Sequence, residues 1–166
     1  MSDAADRADR AAEWDDLRAR YLRPAGERPA SSAGGAHHIA LIASDVEQTI
    51  RFYQDVLEFP LTDLFENRDY PGSTHFFFDI GNGNTIAFFD FPGLGQDDYA
   101  EVLGGHHHLA ISVTPEAQAR LRANLVAAGV EIDFEHKTSI YFRGPDGERL
   151  ELLAEPLGTM YGSTVL

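Results

Sequence analysis

The chain contains no cysteine among its 166 residues. Disulfides, thiol nucleophiles and cysteine-ligated zinc are therefore excluded together. No apolar run approaches the ~20 residues that cross a bilayer. The N-terminus lacks a basic segment followed by an apolar one, so no signal peptide is expected. Basic residues are outnumbered, 13 against 27 acidic ones, and the net charge is −14. Such a chain repels phosphate backbones and anionic membrane surfaces, which makes nucleic acid and membrane poor partners. The expectation is a cytoplasmic protein acting on a small molecule.

What is present is a globular composition, 43% hydrophobic and 24% charged. The length suits one domain or two half-domains sharing a core. Residues 4–22 predict a polar amphipathic helix with Trp14, Leu17 and Tyr21 on one stripe. The charge here is nearly balanced, six Arg against seven acids over residues 1–28, so the acidity belongs to the remainder. Residues 23–36 are rich in Pro, Gly, Ser and Ala and read as a linker. Residues 1–36 thus form an N-terminal extension, and 157–166 a C-terminal tail.

Between them lies a repeat. His37–Ala43 predicts a strand, and Ser44 with Glu47 three residues on predicts a capping box. A helix follows with Val46, Ile50, Tyr53, Val56 and Leu57 on one face. Leu61–Phe65, His75–Ile80 and Thr85–Phe91 read as strands, with Gly81-Asn82-Gly83-Asn84 as a hairpin turn. The second half repeats the order. His107–Val113 is a strand, Thr114-Pro115 starts a helix that ends near Ala128 and Gly129, and Ile132–Glu135, Ser139–Arg143 and Arg149–Ala154 are strands. Pro145-Asp146-Gly147 turns between the last two. HHIALIAS at His37 matches HHLAISVT at His107 at an offset of 70. Gly83–Phe89 matches Gly147–Leu153, and Pro92 matches Pro156, at an offset of 64. Two modules of βαβββ order, about 37–92 and 106–156, are the result of such a duplication.

Strand alternation then selects candidate site residues. His38, Ala40 and Ile42 share one face, and His108, Ala110 and Ser112 share its counterpart. The bulky residues Ile39, Leu41, Leu109, Ile111 and Val113 point the other way, toward the helices. Glu151 is a carboxylate inside an apolar strand, a position that is unfavourable unless the charge is paired or binds a metal. Two imidazoles and one carboxylate are the set that holds Fe(II) and related metals with open positions. His38 and His108 occupy equivalent places, so pseudo-twofold folding is expected to bring them together with Glu151.

The segments HIALIASDVEQTIRFYQDVLEF from His38, HLAISV from His108 and YFRGPDGERLELL from Tyr141 resemble the vicinal oxygen chelate superfamily. This includes glyoxalase I, fosfomycin-resistance thiol transferases, bleomycin-binding proteins and extradiol dioxygenases. The resemblance covers roughly residues 37–156. It implies an α+β fold in which two tandem βαβββ modules form a curved mixed sheet around a central cavity. It also implies metal ligation by His38, His108 and Glu151, with Fe2+ or Mn2+ foremost and Zn2+ or Ni2+ as other candidates. The family's fourth ligand position falls on Ala87, which cannot bind metal and weakens a glyoxalase I reading. The order His136, Tyr141, Pro145, Gly147, Glu151 resembles the extradiol dioxygenase signature, with a shorter His–Tyr interval and Gly144 where a more polar residue is usual. It implies Tyr141 as a catalytic residue that hydrogen-bonds the substrate.

The resemblance therefore implies a metal-dependent enzyme on a small oxygen-chelating substrate, foremost an extradiol-type dioxygenase. The alternatives are a thiol transferase, isomerase or lyase of the same fold, or a bleomycin-resistance-like binder of a cationic molecule. A homodimer is expected, and the site lies within one chain or across two. His37, His106 and His107 read as strand-start residues, His75 and Phe88, Phe89 and Phe91 as core, and Asp97-Asp98, Glu131, Asp133 and Glu135 as solvated charge. Arg143 and Arg149 either bind an anionic group or pair with acids.

Overall fold

Short alternating runs make the sheets of this protein, and Gly-containing turns end them. The structure, a computed structural model, describes residues 10–33, 35–95, 103–160 and 162–165. It divides into two units, residues 1–34 and residues 35–165. The first unit contains α1 (Ala11–Tyr21), none of whose residues is buried. Pairs at i,i+3 and i,i+4 spacing (Arg10–Glu13, Arg18–Asp15 and Arg20–Asp16) support it. The start of the expected 4–22 helix and Asp97-Asp98 lie outside the described residues. One 3₁₀ turn, Ala25–Glu27, falls within the expected linker.

The second unit holds both modules. The first is β1 (His38–Ile42), α2 (Val46–Ile50), β2 (Leu61–Glu66), β3 (Thr74–Asp79) and β4 (Thr85–Phe89). The second is β5 (Leu109–Ser112), α3 (Pro115–Ala127), β6 (Ile132–His136), β7 (Ser139–Arg143) and β8 (Arg149–Leu153). A small hairpin, β9 (Thr159–Met160) and β10 (Ser163–Thr164), follows in what the sequence suggested was a tail. Thr114 caps α3 as expected: its hydroxyl accepts from the Ala117 N–H at 3.1 Å, with Pro115 in the first turn. The capping box on Ser44 does not form. Asp45 is the cap instead, accepting from the Gln48 N–H at 2.8 Å. The Ser44 N–H is drawn to Asp146 Oδ2 of the other module at 3.1 Å. After α2 the backbone widens into a π-helical stretch, Arg51–Val56, with the Leu57 N–H on the Phe52 carbonyl at 3.1 Å. The wider turn buries the adjacent Phe52 and Tyr53 together.

The duplication is written in the hydrogen-bond register. Two separate four-stranded mixed sheets run β1-β4-β3-β2 and β5-β8-β7-β6, with β1/β4 and β5/β8 parallel. Ala40 lies opposite Ala87, as Ala110 lies opposite Glu151. Phe77 lies opposite Ala87, as Tyr141 lies opposite Glu151. His75 faces Phe89, as Ser139 faces Leu153. Even the irregularity recurs, between Leu61 and Asp63 and between Ile132 and Phe134.

One apolar cluster joins the modules. Tyr53, Leu57, Phe76, Phe78, Ile86 and Phe88 of the first meet Leu125, Phe142, Leu150 and Leu152 of the second, all fully buried. Phe52 and Phe142 approach with ring centroids 6.3 Å apart. Around the cluster, Arg120 pairs with Glu58 at 2.9 Å, and Asn124 donates to the Val56 carbonyl at 3.1 Å. The Tyr53 hydroxyl donates to Glu148 Oε1 at 2.8 Å. The modules thus pack through the faces that carry Ile39, Leu41, Leu109 and Ile111. The faces carrying His38 and His108 lie on the opposite side of each sheet from this core.

Candidate metal centre

Alternation on β8 sends Leu150 and Leu152 into the core and turns Glu151 to the other face, where it is still only 4% exposed. A carboxylate so placed needs a partner. It has one in His108, whose Nε2 lies 3.1 Å from Glu151 Oε2. His108 stands immediately before β5 and owes its orientation to its predecessor: its Nδ1 lies 2.6 Å from Nδ1 of His107. That contact leaves Nε2 to face the carboxylate. Burial lowers the His108 pKa, opposed by the Glu151 carboxylate and assisted by His107 and Arg149. The imidazole is thereby biased toward its neutral form, in which a ring nitrogen has a lone pair to give a metal.

Tyr141 completes the group. It sits on β7 opposite Glu151, its ring edge-on to His108 at 5.4 Å and 6.0 Å from Phe134. The Arg149 guanidinium lies over the same ring at 5.1 Å. Arg143 is engaged elsewhere, with Asp133 at 3.2 Å and the Gly147 carbonyl at 3.1 Å. His136 is exposed, stacks on Phe134 at 6.2 Å, and shows no contact with His108 or Glu151.

His38 does not join this group. Its Nδ1 lies 2.9 Å from Nδ1 of His37, the same pairing of neighbouring rings as His107 and His108. Among the described residues no three His, Asp or Glu side chains stand close enough to hold one metal ion. Within this single chain, then, the described residues do not bring His38 to the His108–Glu151 pair. Each histidine face lies on the side of its sheet opposite the shared apolar core. The donor set nevertheless fits a divalent metal in halves, a His–carboxylate pair on module two and one equivalent His on module one. In module one the carboxylate position is Ala87, fully buried, so that half offers only the imidazole.

Sequence reasoning assigned no site role to three histidines near these faces. His107 orients His108, and His37 does the same for His38; the signal was the duplicated His-His pair itself. His75 is no ordinary core residue. It lies on the His38 face of the first sheet, stacked on Phe89 at 3.8 Å, with burial as the main cause of its lowered pKa.

A sequence model of the Glyoxalase/Bleomycin resistance protein/Dioxygenase superfamily matches residues 35–152. Over 80 residues the chain is 34% identical to a Bacillus subtilis (strain 168) protein provisionally named ring-cleaving dioxygenase MhqE; the match covers 46% of this chain and 26% of that one. The chain thus spans about a quarter of the length of this curated relative. Among solved structures, the fosfomycin resistance protein FosX of Listeria monocytogenes, complexed with Mn(II) and sulfate, is similar at a TM-score of 0.58 and 26% identity. That likeness covers 75% of this chain and 95% of FosX. A glyoxylase/bleomycin resistance protein/dioxygenase domain from Frankia sp. EAN1pec shares the fold at a TM-score of 0.65 and 22% identity, covering 77% and 96% of the two chains. Among the described residues no helix is long and apolar enough to cross a membrane.

Proposed function

The chain belongs to the glyoxalase/bleomycin resistance protein/dioxygenase superfamily, and from that premise we infer that it is a divalent-metal-dependent enzyme acting on a small oxygen-chelating substrate, foremost a ring-cleaving dioxygenase. The observation that carries the reading is the buried Glu151 carboxylate held 3.1 Å from His108 Nε2, on a strand whose flanking Leu150 and Leu152 enter the core. His108, Glu151 and His38 of a second copy would hold Fe(II) or Mn(II), and Zn(II) or Ni(II) are further candidates. The protein accordingly works as a homodimer. The bound metal supplies Lewis acidity and open coordination positions for two vicinal oxygens.

The remaining roles fall to the chain's own side chains. His107 holds His108 in the ring orientation that offers Nε2. Tyr141 stands on the strand beside Glu151 and would hydrogen-bond a substrate oxygen. Ala40 and Ala110 flank the histidines on their strands and leave the space above them to the substrate. The Mn(II) complex of FosX and the provisional name of the Bacillus relative support the metal and the chemistry respectively.

The test is metal content after purification without chelators. About one equivalent of iron or manganese per chain is expected, lost in His108→Ala and Glu151→Ala, with oxygen uptake on addition of catechols. Absence of metal, with no binding of added Fe(II) or Mn(II), would overturn the reading.

A further inference from the structure

The matched register of the two modules allows the same volume to be compared twice within one molecule. In module one it is filled with rings. His75 stacks on Phe89 at 3.8 Å and 20°, and Phe89 lies parallel to Phe91 at 6.0 Å. Phe65 closes the stack edge-on to His75 at 5.3 Å. Sixty-four residues on, the equivalent positions hold Ser139, Leu153 and Glu155. Three rings are thus replaced by a hydroxymethyl group, an aliphatic chain and a carboxylate. Beside these positions in module two lies a cavity of about 470 Å³ whose lining includes Phe134, Lys137, Thr138, Ser139, Tyr141 and Glu155.

The floor of this cavity carries a further observation. Glu155 is 9% exposed, and its Oε1 accepts from the Thr138 hydroxyl at 3.2 Å. Its Oε2 is buried with no hydrogen-bond partner among the described residues. A buried carboxylate oxygen without a donor is unfavourable unless a donor arrives from outside the protein. The walls, Phe134 and Tyr141, are aromatic and 6.0 Å apart at their centroids. Tyr141 is also the neighbour of Glu151 in the ladder, so the cavity adjoins the His108–Glu151 pair.

We propose that this cavity binds a planar ring carrying a hydrogen-bond donor, the ring taking the volume that the aromatic stack fills in module one and the donor reaching Glu155. As the part of the substrate site remote from the chelated oxygens, it rests on the metal-enzyme reading. As a binding site it stands on the cavity, Glu155 and the module comparison alone. The substrate class is then an aromatic chelator with a hydroxyl or amine substituent, rather than an unsubstituted ring.

The test is run on the metal-free full chain, so that it does not depend on metal binding. Amide shifts in two-dimensional NMR are followed during titration with benzyl alcohol, benzylamine and anisole. Anisole is an isomer of benzyl alcohol that has no donor. Shifts at Ser139 and Tyr141 are expected with the donor ligands, and at least one of them should bind about tenfold more tightly than anisole. The order of benzyl alcohol and benzylamine separates a neutral from a cationic donor. Glu155→Met should level the three affinities while leaving ring binding. Ser139→His, which restores the ring of module one, should abolish the shifts at Tyr141. Equal affinities in the unaltered protein, absence of these shifts, or binding that survives Ser139→His would each overturn the proposal. Cavity binding in a protein that takes up no metal would sustain it while refuting the metal-enzyme reading. Metal uptake without cavity binding would do the reverse.

Discussion

Mixing two inactive variants tests how the metal site is assembled. In one chain His108 and Glu151 stand together, while His38 lies on the outward face of the other sheet. On the proposed reading, a complete three-ligand site takes His38 from one copy and the His108–Glu151 pair from another. His38→Ala removes an exposed side chain, and Glu151→Ala removes a buried carboxylate that faces away from the shared core, so both variants should remain folded. Each variant alone has a lesion in every site. In an equimolar mixture allowed to exchange subunits at random, roughly half of the dimers are mixed. A mixed dimer concentrates both lesions in one site and leaves the other intact. Recovery of roughly one quarter of the unaltered metal content and activity is therefore expected. Manganese binding per chain and oxygen uptake read it out, with thermal melts showing that both variants fold. The pair His108→Ala and Glu151→Ala is the control. Those residues come from the same chain, so their mixture should recover nothing. No recovery with His38→Ala and Glu151→Ala, in demonstrated mixed dimers, would refute a site shared between chains.

Tyr141→Phe should retain the full metal content and lose activity about 10²-fold or more, because on the proposed reading it deletes a hydrogen bond to the substrate and no metal ligand; equal loss of metal would make Tyr141 a structural support. Tyr53→Phe takes the donor from Glu148 Oε1 in the seam between the modules and should destabilise by about 1–3 kcal/mol in urea unfolding; an unchanged midpoint would show that the seam does not depend on this bond. Burial raises the Glu148 pKa above the ordinary carboxylate value, so the folded state holds that proton more tightly than the unfolded chain. Its stabilising contribution is present below the ordinary carboxylate pKa and is lost as pH rises through the raised one. The melting temperature of the unaltered protein relative to Glu148→Gln should therefore fall across that window, and parallel pH curves would count against it. Phe142→Ala, at a fully buried ring of the shared core, should cost about 3–5 kcal/mol by chemical denaturation; a loss under 1 kcal/mol would mean that the modules do not depend on their common core.

Much of the architecture was legible from local pattern. Alternation assigned Ile39 and Leu41 to the core and His38 and Ala40 to the open face, because a strand has only two faces. Thr114 followed by Pro115 marked the start of α3, since both residues suit a helix N-terminus for stereochemical reasons. Ser44 failed for a reason outside its own segment: its N–H is claimed by Asp146, about a hundred residues away, and Asp45 caps in its place. The π-helical turn at Arg51–Val56 likewise answers to the core that receives Phe52 and Tyr53. Glu155 carried no signal as a lone acid near the C-terminus, and acquired meaning only beside the empty counterpart of an aromatic stack.

By itself the sequence determined which residues are equivalent. The offsets of 64 and 70 pair His38 with His108, Ala87 with Glu151 and Phe77 with Tyr141, and the ladders of the two sheets keep the last two pairings. Repetition says nothing, however, about whether equivalent faces turn toward or away from each other. That was decided by tertiary packing. The buried apolar side chains lie on the faces of Ile39, Phe76, Leu109 and Phe142, and burying them in one core joins the modules there. The faces that carry the histidines lie on the other side of each sheet from that core. The same force that folds the chain therefore separates His38 from Glu151, and within one chain leaves the metal donors as two halves.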